Sequence, residues 1–258
     1  MEVSPFALGT MMLGSVGNPD HEECVRIVRT ALESGINFVD TADMYSAGES
    51  EVIVGKALAS CRDDVILATK SHRVSQARGL MRFRSEQPPY NLLARGIERD
   101  VLPVAERWGM GVLTWSPLAF GFLTGRYRKG AETPTNGRAA LRPQWFDPAD
   151  PVTARKLDVV EQLVAVANAA GCALPALATA FPLAHRAVTS VIIGPRTLEQ
   201  AESTLTTMDL RLGDDILDRI DEIVPPGTEI YSPQDASLEL PWLTDANLRR
   251  RTATGGRS

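Results

Sequence analysis

The sequence has no excess of basic residues: 27 lysines and arginines stand against 32 aspartates and glutamates, giving a net charge of −5. An acidic chain of this kind does not attract the phosphates of nucleic acid or an anionic membrane surface. No apolar run approaches the ~20 residues that a membrane span needs. The opening, MEVSPFALG, lacks the basic start and apolar core of a signal peptide. We therefore predict no nucleic-acid partner and no membrane association.

Cysteine and histidine are both scarce, with three of each. The cysteines are scattered and odd in number, which indicates reduced thiols and a cytoplasmic protein rather than a disulfide framework. The histidines are also scattered and offer no cluster of metal ligands. We therefore expect no metal site, and a metal-dependent hydrolase is disfavoured.

Apolar segments alternate with segments of helical periodicity along most of the chain. Strands are predicted over 6–13, 37–40, 65–70, 81–86, 111–115 and 190–194, and helices over 20–34, 49–60, 95–107, 152–170, 175–185, 198–205 and 213–223. Segment 131–150 is predicted to be irregular, and a tail begins at about 226. This order is typical of one α/β domain, spanning 1–258, with a parallel sheet. Its functional edge is where the carboxyl ends of the strands meet.

The alternation breaks after Lys70. About ten residues separate it from the next predicted strand, and a parallel crossover needs roughly a dozen or more residues, usually with a helix. Segment 75–79 has room for little more than one helical turn. The junction at 72–78 is therefore anomalous for a parallel sheet.

Three residues at or beyond strand ends suggest acid catalysis. Asp40 ends the second strand, Tyr45 follows in the next turn, and Lys70 ends the third strand. A free phenol has a pKa of about 10, and a neighbouring ammonium lowers it. Such a tyrosine could protonate a carbonyl oxygen while a cofactor delivers hydride to the carbon. Taken singly, Asp40 and Lys70 also fit a structural ion pair.

Other strand ends carry groups suited to a nucleotide. Gln87 could bind a carboxamide, and Trp115 could stack on a flat ring. The loop at 116–130 combines glycines with cations such as Arg126, as a phosphate requires. After the last strand, Gly194-Pro195-Arg196 leads into a helix, which predicts a second anion site.

Five motifs resemble the aldo-keto reductase family. The segment DTADMYSAGESE is similar to the family signature DTAxxYGxGxSE, and VILATK resembles its lysine-bearing third strand. SEQPPYNLL, WSPLAFGFLTGRY and VIIGPRTLEQ resemble the ends of its sixth, seventh and eighth strands. The motifs occur in the family order and cover nearly the whole chain.

The resemblance implies a (β/α)8 TIM-type barrel that reduces aldehydes or ketones with NADPH and no metal. It implies that Tyr45 is the proton donor and that Lys70 and Asp40 lower its pKa. The implied cofactor-binding residues are Thr10, Met11, Asp40, Gln87, Trp115, Ser116, Pro117, Leu118, Ala119, Phe120, Arg126, Gly194, Pro195, Arg196, Gln200 and Thr204. A small carbonyl compound is the implied substrate.

Two family motifs are missing from the sequence: the catalytic histidine after the fourth strand and the nicotinamide-binding Ser-Asn pair after the fifth. The resemblance therefore implies that the fourth and fifth βα units are absent, through an internal deletion near 72–78 that leaves about six strands. Strands three and six must then pair, or two edges stay open, which a homo-oligomer could bury. Ser46 stands where the family usually has glycine, and Thr204 where it usually has an adenine-binding asparagine.

We therefore expect weak NADPH binding and poor reduction of aldehydes. Two other interpretations stay open at this point. The chain could be a catalytically inactive nucleotide-binding or regulatory protein, or the non-functional product of an internal deletion.

Overall fold

The fold is a barrel-type sheet of six parallel strands. The computed structural model describes residues 2–42, 45–70 and 85–230, apart from the side chains of Thr69 and Lys70. Its strands are β1 (Phe6–Gly9), β2 (Phe38–Ala42), β3 (Ile66–Lys70), β4 (Ser85–Glu86), β5 (Gly111–Thr114) and β6 (Ser190–Ile193). Their order in the sheet is β3-β2-β1-β6-β5-β4, and every pairing between them is parallel. The predicted fold class and approximate strand number are confirmed.

Helices cover the outside of the sheet. In the described residues they are α1 (His21–Glu33), α2 (Glu49–Leu58), α3 (Val101–Trp108), α4 (Arg138–Leu141), α5 (Pro151–Ala169), α6 (Leu174–Ala180), α7 (Leu198–Leu205) and α8 (Asp214–Ile223). Asp20 caps α1 as predicted, because its carboxylate accepts from the backbone N–H groups of Glu22 and Glu23. No single described helix is both long and apolar enough to cross a membrane.

The two faces of the sheet bury different cores. Residues facing the helices, such as Leu8, Val39 and Val191, join a large cluster with α1 and α2. The alternate residues fill the inside of the barrel, where Ala7, Phe38, Leu113 and Ile192 form a small apolar plug. Gly9 lies on this crowded inner face, because a Cβ there would lie 2.5 Å from Ile192 Cγ2.

The predicted deletion lies between the two edge strands. β3 and β4 stand at opposite ends of the sheet order, and no pairing joins them within the described residues. The junction at 72–78 lies outside those residues, as does most of the strand predicted over 81–86. The sequence predicted either direct pairing of strands three and six or two open edges. The strand pairings in the described residues correspond to the second outcome, with β3 and β4 as the edges.

Several boundaries differ from the predictions. β1 stops at Gly9 because the chain turns back at Thr10, whose carbonyl accepts from the Leu13 N–H at 3.0 Å. α6 ends at Ala180, shortly before Pro182, which lacks the N–H that would continue an α-helix. The segment 131–150 is more ordered than predicted: Phe146 is buried and stacks on Tyr127 at 4.2 Å between ring centroids.

The start of the predicted tail packs against the chain. Arg95 is 4% exposed, and its guanidinium donates to Glu98 and to Asp221, each at 2.7 Å, and to the Val224 carbonyl. The Gly227 N–H donates to the second carboxylate oxygen of Glu98 at 2.9 Å. Gly227 therefore ties segment 225–230 to an ion network in which the Arg95 and Glu98 side chains are 5% and 9% exposed and the Asp221 side chain is 44% exposed.

Candidate active site

Three residues predicted for the site continue the inner face of the sheet beyond its apolar plug. Asp40 follows Phe38 on the inner face of β2, and Trp115 follows Leu113 beyond β5. Gly194 follows Ile192 in the same way beyond β6. Because all the strands are parallel, these residues meet at one end of the barrel, as the sequence predicted.

Asp40 is the buried charge at the centre of this end. It is 3% exposed, and its Oδ1 accepts a hydrogen bond from Gln87 Nε2 at 2.8 Å. Gln87 is held in turn, because Trp115 Nε1 donates to its backbone carbonyl at 3.1 Å. Three residues predicted for catalysis or cofactor binding are therefore brought together.

Thr10 contributes to the site mainly through its backbone and buried hydroxyl. Its side chain is fully buried, and its hydroxyl donates to the Asp40 carbonyl at 3.2 Å. The Ser50 hydroxyl, from the start of α2, donates to the Thr10 carbonyl at 2.8 Å. The adjacent Met11 is 41% exposed, so it presents the accessible side chain of this pair.

Tyr45 begins the turn that leads into α2. It is half-buried and starts a 3₁₀ turn, Tyr45–Gly48, in which Ser46 and Ala47 take left-handed backbone angles, with φ of 48° and 55°. Ser46 uses its hydroxyl twice, accepting from the Val16 N–H and donating to the Leu13 carbonyl, both at 3.3 Å. The serine that replaces the expected glycine therefore fastens the tyrosine turn to the loop after β1.

A second contact between these loops involves Glu49. Its carboxylate accepts from the Ser15 N–H at 2.7 Å and pairs with His21 on α1. The Ser15 backbone N–H, followed by His21, lowers the pKa of Glu49 to about 2. This contact was not predictable from the sequence, since Glu49 occupies a variable position of the signature motif.

The loop after β5 contains three residues with left-handed backbone. Ser116, Ala119 and Phe120 have φ of 61°, 47° and 56°. Asn91 Nδ2 donates to the Ser116 carbonyl at 3.0 Å, and the Ala119 N–H donates to the same oxygen at 2.9 Å. Unfavourable backbone angles held by such contacts cluster at ligand-binding loops.

An aromatic wall extends from this loop. The rings of Trp115 and Phe120 meet edge to face at 6.3 Å between centroids, and Phe120 meets Trp145 in the same manner at 5.7 Å. The Arg138 guanidinium lies over the Phe120 ring, 5.0 Å from its centroid. Sequence reasoning missed Trp145 and Arg138, because both lie in the segment predicted to be irregular.

The glycine-proline-arginine loop after β6 leads into α7 as predicted. The Gln200 side chain accepts from the Arg196 N–H at 2.9 Å, and Thr197 caps the helix. Thr204 is half-exposed on α7 and donates its hydroxyl to the Gln200 carbonyl. Pro195 is buried, which fixes the loop against the body.

The sequence matches a known family in two pieces. The family model described as "Aldo/keto reductase family" matches residues 5–82 and again residues 71–225. Together the two matches cover most of the chain. The chain belongs to the aldo/keto reductase family. The two matches overlap at residues 71–82, the stretch where the alternation of strands and helices breaks.

Curated relatives of this aldo/keto reductase are longer than the chain itself. An uncharacterized oxidoreductase of Bacillus subtilis, YrpG, is 27% identical over 321 residues, covering 89% of this chain and 95% of the relative. A probable voltage-gated potassium channel subunit beta from rice, Oryza sativa, is 25% identical over 320 residues, covering 90% and 97%. Both alignments exceed the 258 residues of the chain, so part of each relative faces a gap. The chain is an internally shortened member of the family.

Solved structures of the family share the fold. A glycerol dehydrogenase from Gluconobacter oxydans superposes with a TM-score of 0.71 at 22% identity, covering 89% of this chain and 95% of that one. An aldo-keto reductase from Klebsiella pneumoniae in complex with NADPH gives 0.63 at 20% identity, covering 89% and 95%. At these identities the likeness establishes the architecture.

The predicted catalytic residues of this aldo/keto reductase are placed unevenly by the structure. Asp40 lies at the strand ends, Tyr45 in the adjoining turn, and the backbone of Lys70 pairs in register with Ala42. The Lys70 side chain lies outside the described part of the chain, as does His72. The catalytic roles of Asp40, Tyr45 and Lys70 stay predictions.

Within the described residues, no group of three or more His, Cys, Asp or Glu side chains is placed to hold a metal ion. His185 lies against the Tyr90 ring, and burial lowers its pKa. His21 is occupied by Glu49.

Proposed function

We propose that this chain is an NADPH-dependent oxidoreductase that reduces aldehydes or ketones to alcohols, with Tyr45 as the proton donor and with low turnover. The observation that carries the proposal is the buried Asp40 carboxylate, held by Gln87 at the carboxyl end of the sheet. A buried carboxylate is costly unless partners satisfy it, so its presence here favours a catalytic use over a packing role.

The loops after β5 and β6 are suited to binding the phosphates of a dinucleotide. Gly194 is exposed, and a Cβ there would meet nothing within 4 Å, which leaves open space beside Arg196. The loop from Ser116 to Phe120, in which three residues have left-handed backbone angles, lies at the same end of the barrel as Gly194. Arg126 is exposed beyond this loop. In the proposal Trp115 and Gln87 hold the nicotinamide, Ser116 to Phe120 with Arg126 hold the pyrophosphate, and Gly194 to Arg196, Gln200 and Thr204 hold the adenosine end.

The proposed division of labour among the catalytic residues follows from their chemistry. When bound, the nicotinamide supplies hydride to the carbonyl carbon. Tyr45 donates its phenolic proton to the carbonyl oxygen, and the Lys70 ammonium favours release of that proton. Asp40 provides the negative charge that holds Lys70 in place.

Low turnover follows from the two missing units. The sequence lacks the family histidine that orients the substrate carbonyl and the Ser-Asn pair that clamps the nicotinamide. Loss of positioning groups lowers the rate because the reacting atoms spend less time in a productive arrangement.

The test is a titration of NADPH fluorescence with purified chain, followed by addition of an aldehyde in the same cuvette. We expect weak saturable binding and slow oxidation of NADPH that Tyr45→Phe abolishes without changing the NADPH affinity. Tyr127→Phe is the matched control, because this buried tyrosine packs in the aromatic core. Turnover that survives in Tyr45→Phe, or no NADPH binding at all, would refute the proposal.

A nucleotide-binding protein without turnover is the second candidate. The absent histidine motif favours it, and the relatives of this chain include proteins named as probable voltage-gated potassium channel subunits beta. Saturable NADPH binding with no oxidation by any of several aldehydes would select this candidate over the first.

A further inference from the structure

Glu23 on α1 reaches the first turn of α7. Its Oε1 accepts a hydrogen bond from the Leu198 backbone N–H at 3.2 Å, although the two residues are far apart in the sequence. Leu198 is the first residue of α7, whose N-terminal N–H groups carry partial positive charge. One donor that an anionic ligand could use is therefore already taken by a carboxylate of the chain itself.

Asn18 ties the same carboxylate to the arginine loop. Its Nδ2 donates to Glu23 Oε2 at 3.0 Å and to the Arg196 carbonyl at 2.9 Å. Asn18 is 7% exposed, so this bridge is part of the packed structure. Glu23 therefore occupies a fixed position beside the loop that presents Arg196.

The net charge around Arg196 is less positive than the sequence Gly194-Pro195-Arg196 alone suggests. Hydrogen bonds from Asn18 and from the Leu198 N–H lower the pKa of Glu23, which keeps it ionised at neutral pH. Glu199 adds a second carboxylate, exposed in the first turn of α7. Asp20 and Arg26 also act on Glu23 and contribute one charge of each sign, so Glu23 and Glu199 still make the surroundings of Arg196 more negative.

We propose that Glu23 determines which coenzyme is preferred at the Gly194 to Arg196 loop. Its negative charge offsets the attraction of Arg196 for the 2′-phosphate that distinguishes NADPH from NADH. The inference rests on the proposed function, because it places the adenosine end of the coenzyme beside Arg196. A 2′-phosphate carries nearly two negative charges near neutral pH, whereas NADH has a neutral hydroxyl there. The Glu23 carboxylate therefore penalises NADPH and leaves NADH almost unaffected.

The experiment compares the dissociation constants of NADPH and NADH for the wild-type chain, Glu23→Gln and Glu22→Gln. Glu22→Gln is the matched control, because this substitution removes the same charge from the adjacent, exposed position. We expect Glu23→Gln to raise the ratio of the NADH to the NADPH constant by roughly two- to fivefold, the scale of one charge at a helix end. Glu22→Gln should leave the ratio unchanged, and added salt should shrink the effect.

A purely structural role predicts a different result. Loosening the Arg196 loop would weaken both coenzymes together and leave their ratio constant. Glu23→Asp separates the two roles further, since it keeps the charge while altering the contact, and it should retain the wild-type ratio. NADPH binding with the same ratio in wild type and Glu23→Gln overturns this inference alone. Failure of the wild-type chain to bind either coenzyme overturns the proposed function and this inference with it.

Discussion

Gln87 and Asp40 are joined by a hydrogen bond of 2.8 Å that crosses the inside of the barrel. Asp40 belongs to β2 and Gln87 follows β4, and these strands are separated in the sheet by β1, β6 and β5. They can meet only because the six-stranded sheet curls until its two halves face each other. The bond therefore reports the curvature of the shortened sheet and also satisfies its buried charge.

Replacing Gln87 by leucine should destabilise the protein by about 1.5–3 kcal/mol, the usual contribution of a hydrogen bond to a charged group. The leucine cannot donate, so the Asp40 carboxylate loses this partner while staying buried. Urea denaturation measures the loss. Gln162→Leu, at an exposed glutamine on α5, should change stability by no more than about 0.5 kcal/mol. Equal effects of the two substitutions would contradict the importance of the cross-barrel bond.

Glu49 should make the stability of the protein depend on acid pH. Its pKa falls from 4.5 to about 2 on folding, so its stabilising contribution is complete above the higher value and fades as pH drops between the two. The difference in urea midpoint between wild type and Glu49→Gln should therefore be largest at pH 6 and shrink steadily below pH 4.5. Glu22→Gln should show no such convergence, and a difference that grows toward low pH would refute the assignment.

The residues that were predictable from the sequence are those whose neighbours lie close in the chain or in a familiar motif. Asp20 caps α1 through its own next residues, and the alternation of Phe38 and Asp40 assigns both to one face of a strand. Glu23 could not be foreseen at α7, because the contact with Leu198 depends on how two distant helices pack. Phe146 was missed for a similar reason: its burial depends on a cluster with Phe122, not on local periodicity.

Arg95→Met should be among the most destabilising substitutions outside the site. Glu98 has a side chain only 9% exposed, and removal of its guanidinium partner leaves that carboxylate without its main partner. Breaking a buried pair in this way costs about 3–5 kcal/mol. Arg107→Met, at an exposed arginine of α3, should cost less than about 1 kcal/mol. Thermal or urea unfolding of both variants provides the comparison, and similar losses would show that the network is dispensable.

Ala47→Gly should stabilise the protein by about 0.5–1 kcal/mol. The substitution relieves the backbone strain of alanine at left-handed angles in the folded state, and this gain exceeds the extra conformational entropy that glycine gives the unfolded chain. Ala47 is exposed with φ of 55°, so the substitution removes little packing. Ala59→Gly, at an exposed position with φ of −53° after α2, should instead destabilise by about 0.5–1 kcal/mol. Changes of the same sign in the two variants would argue against backbone angle as the cause.

The position of β1 in the middle of the sheet has a consequence for biosynthesis. Its residues pair with β2, which follows within the first fifty residues, and with β6, where Ala7 is in register with Ile192. At ~5–20 residues per second, a ribosome needs on the order of tens of seconds to deliver that second partner. During this interval one side of the first strand lacks its native partner, and such an open edge is a template for pairing with another chain.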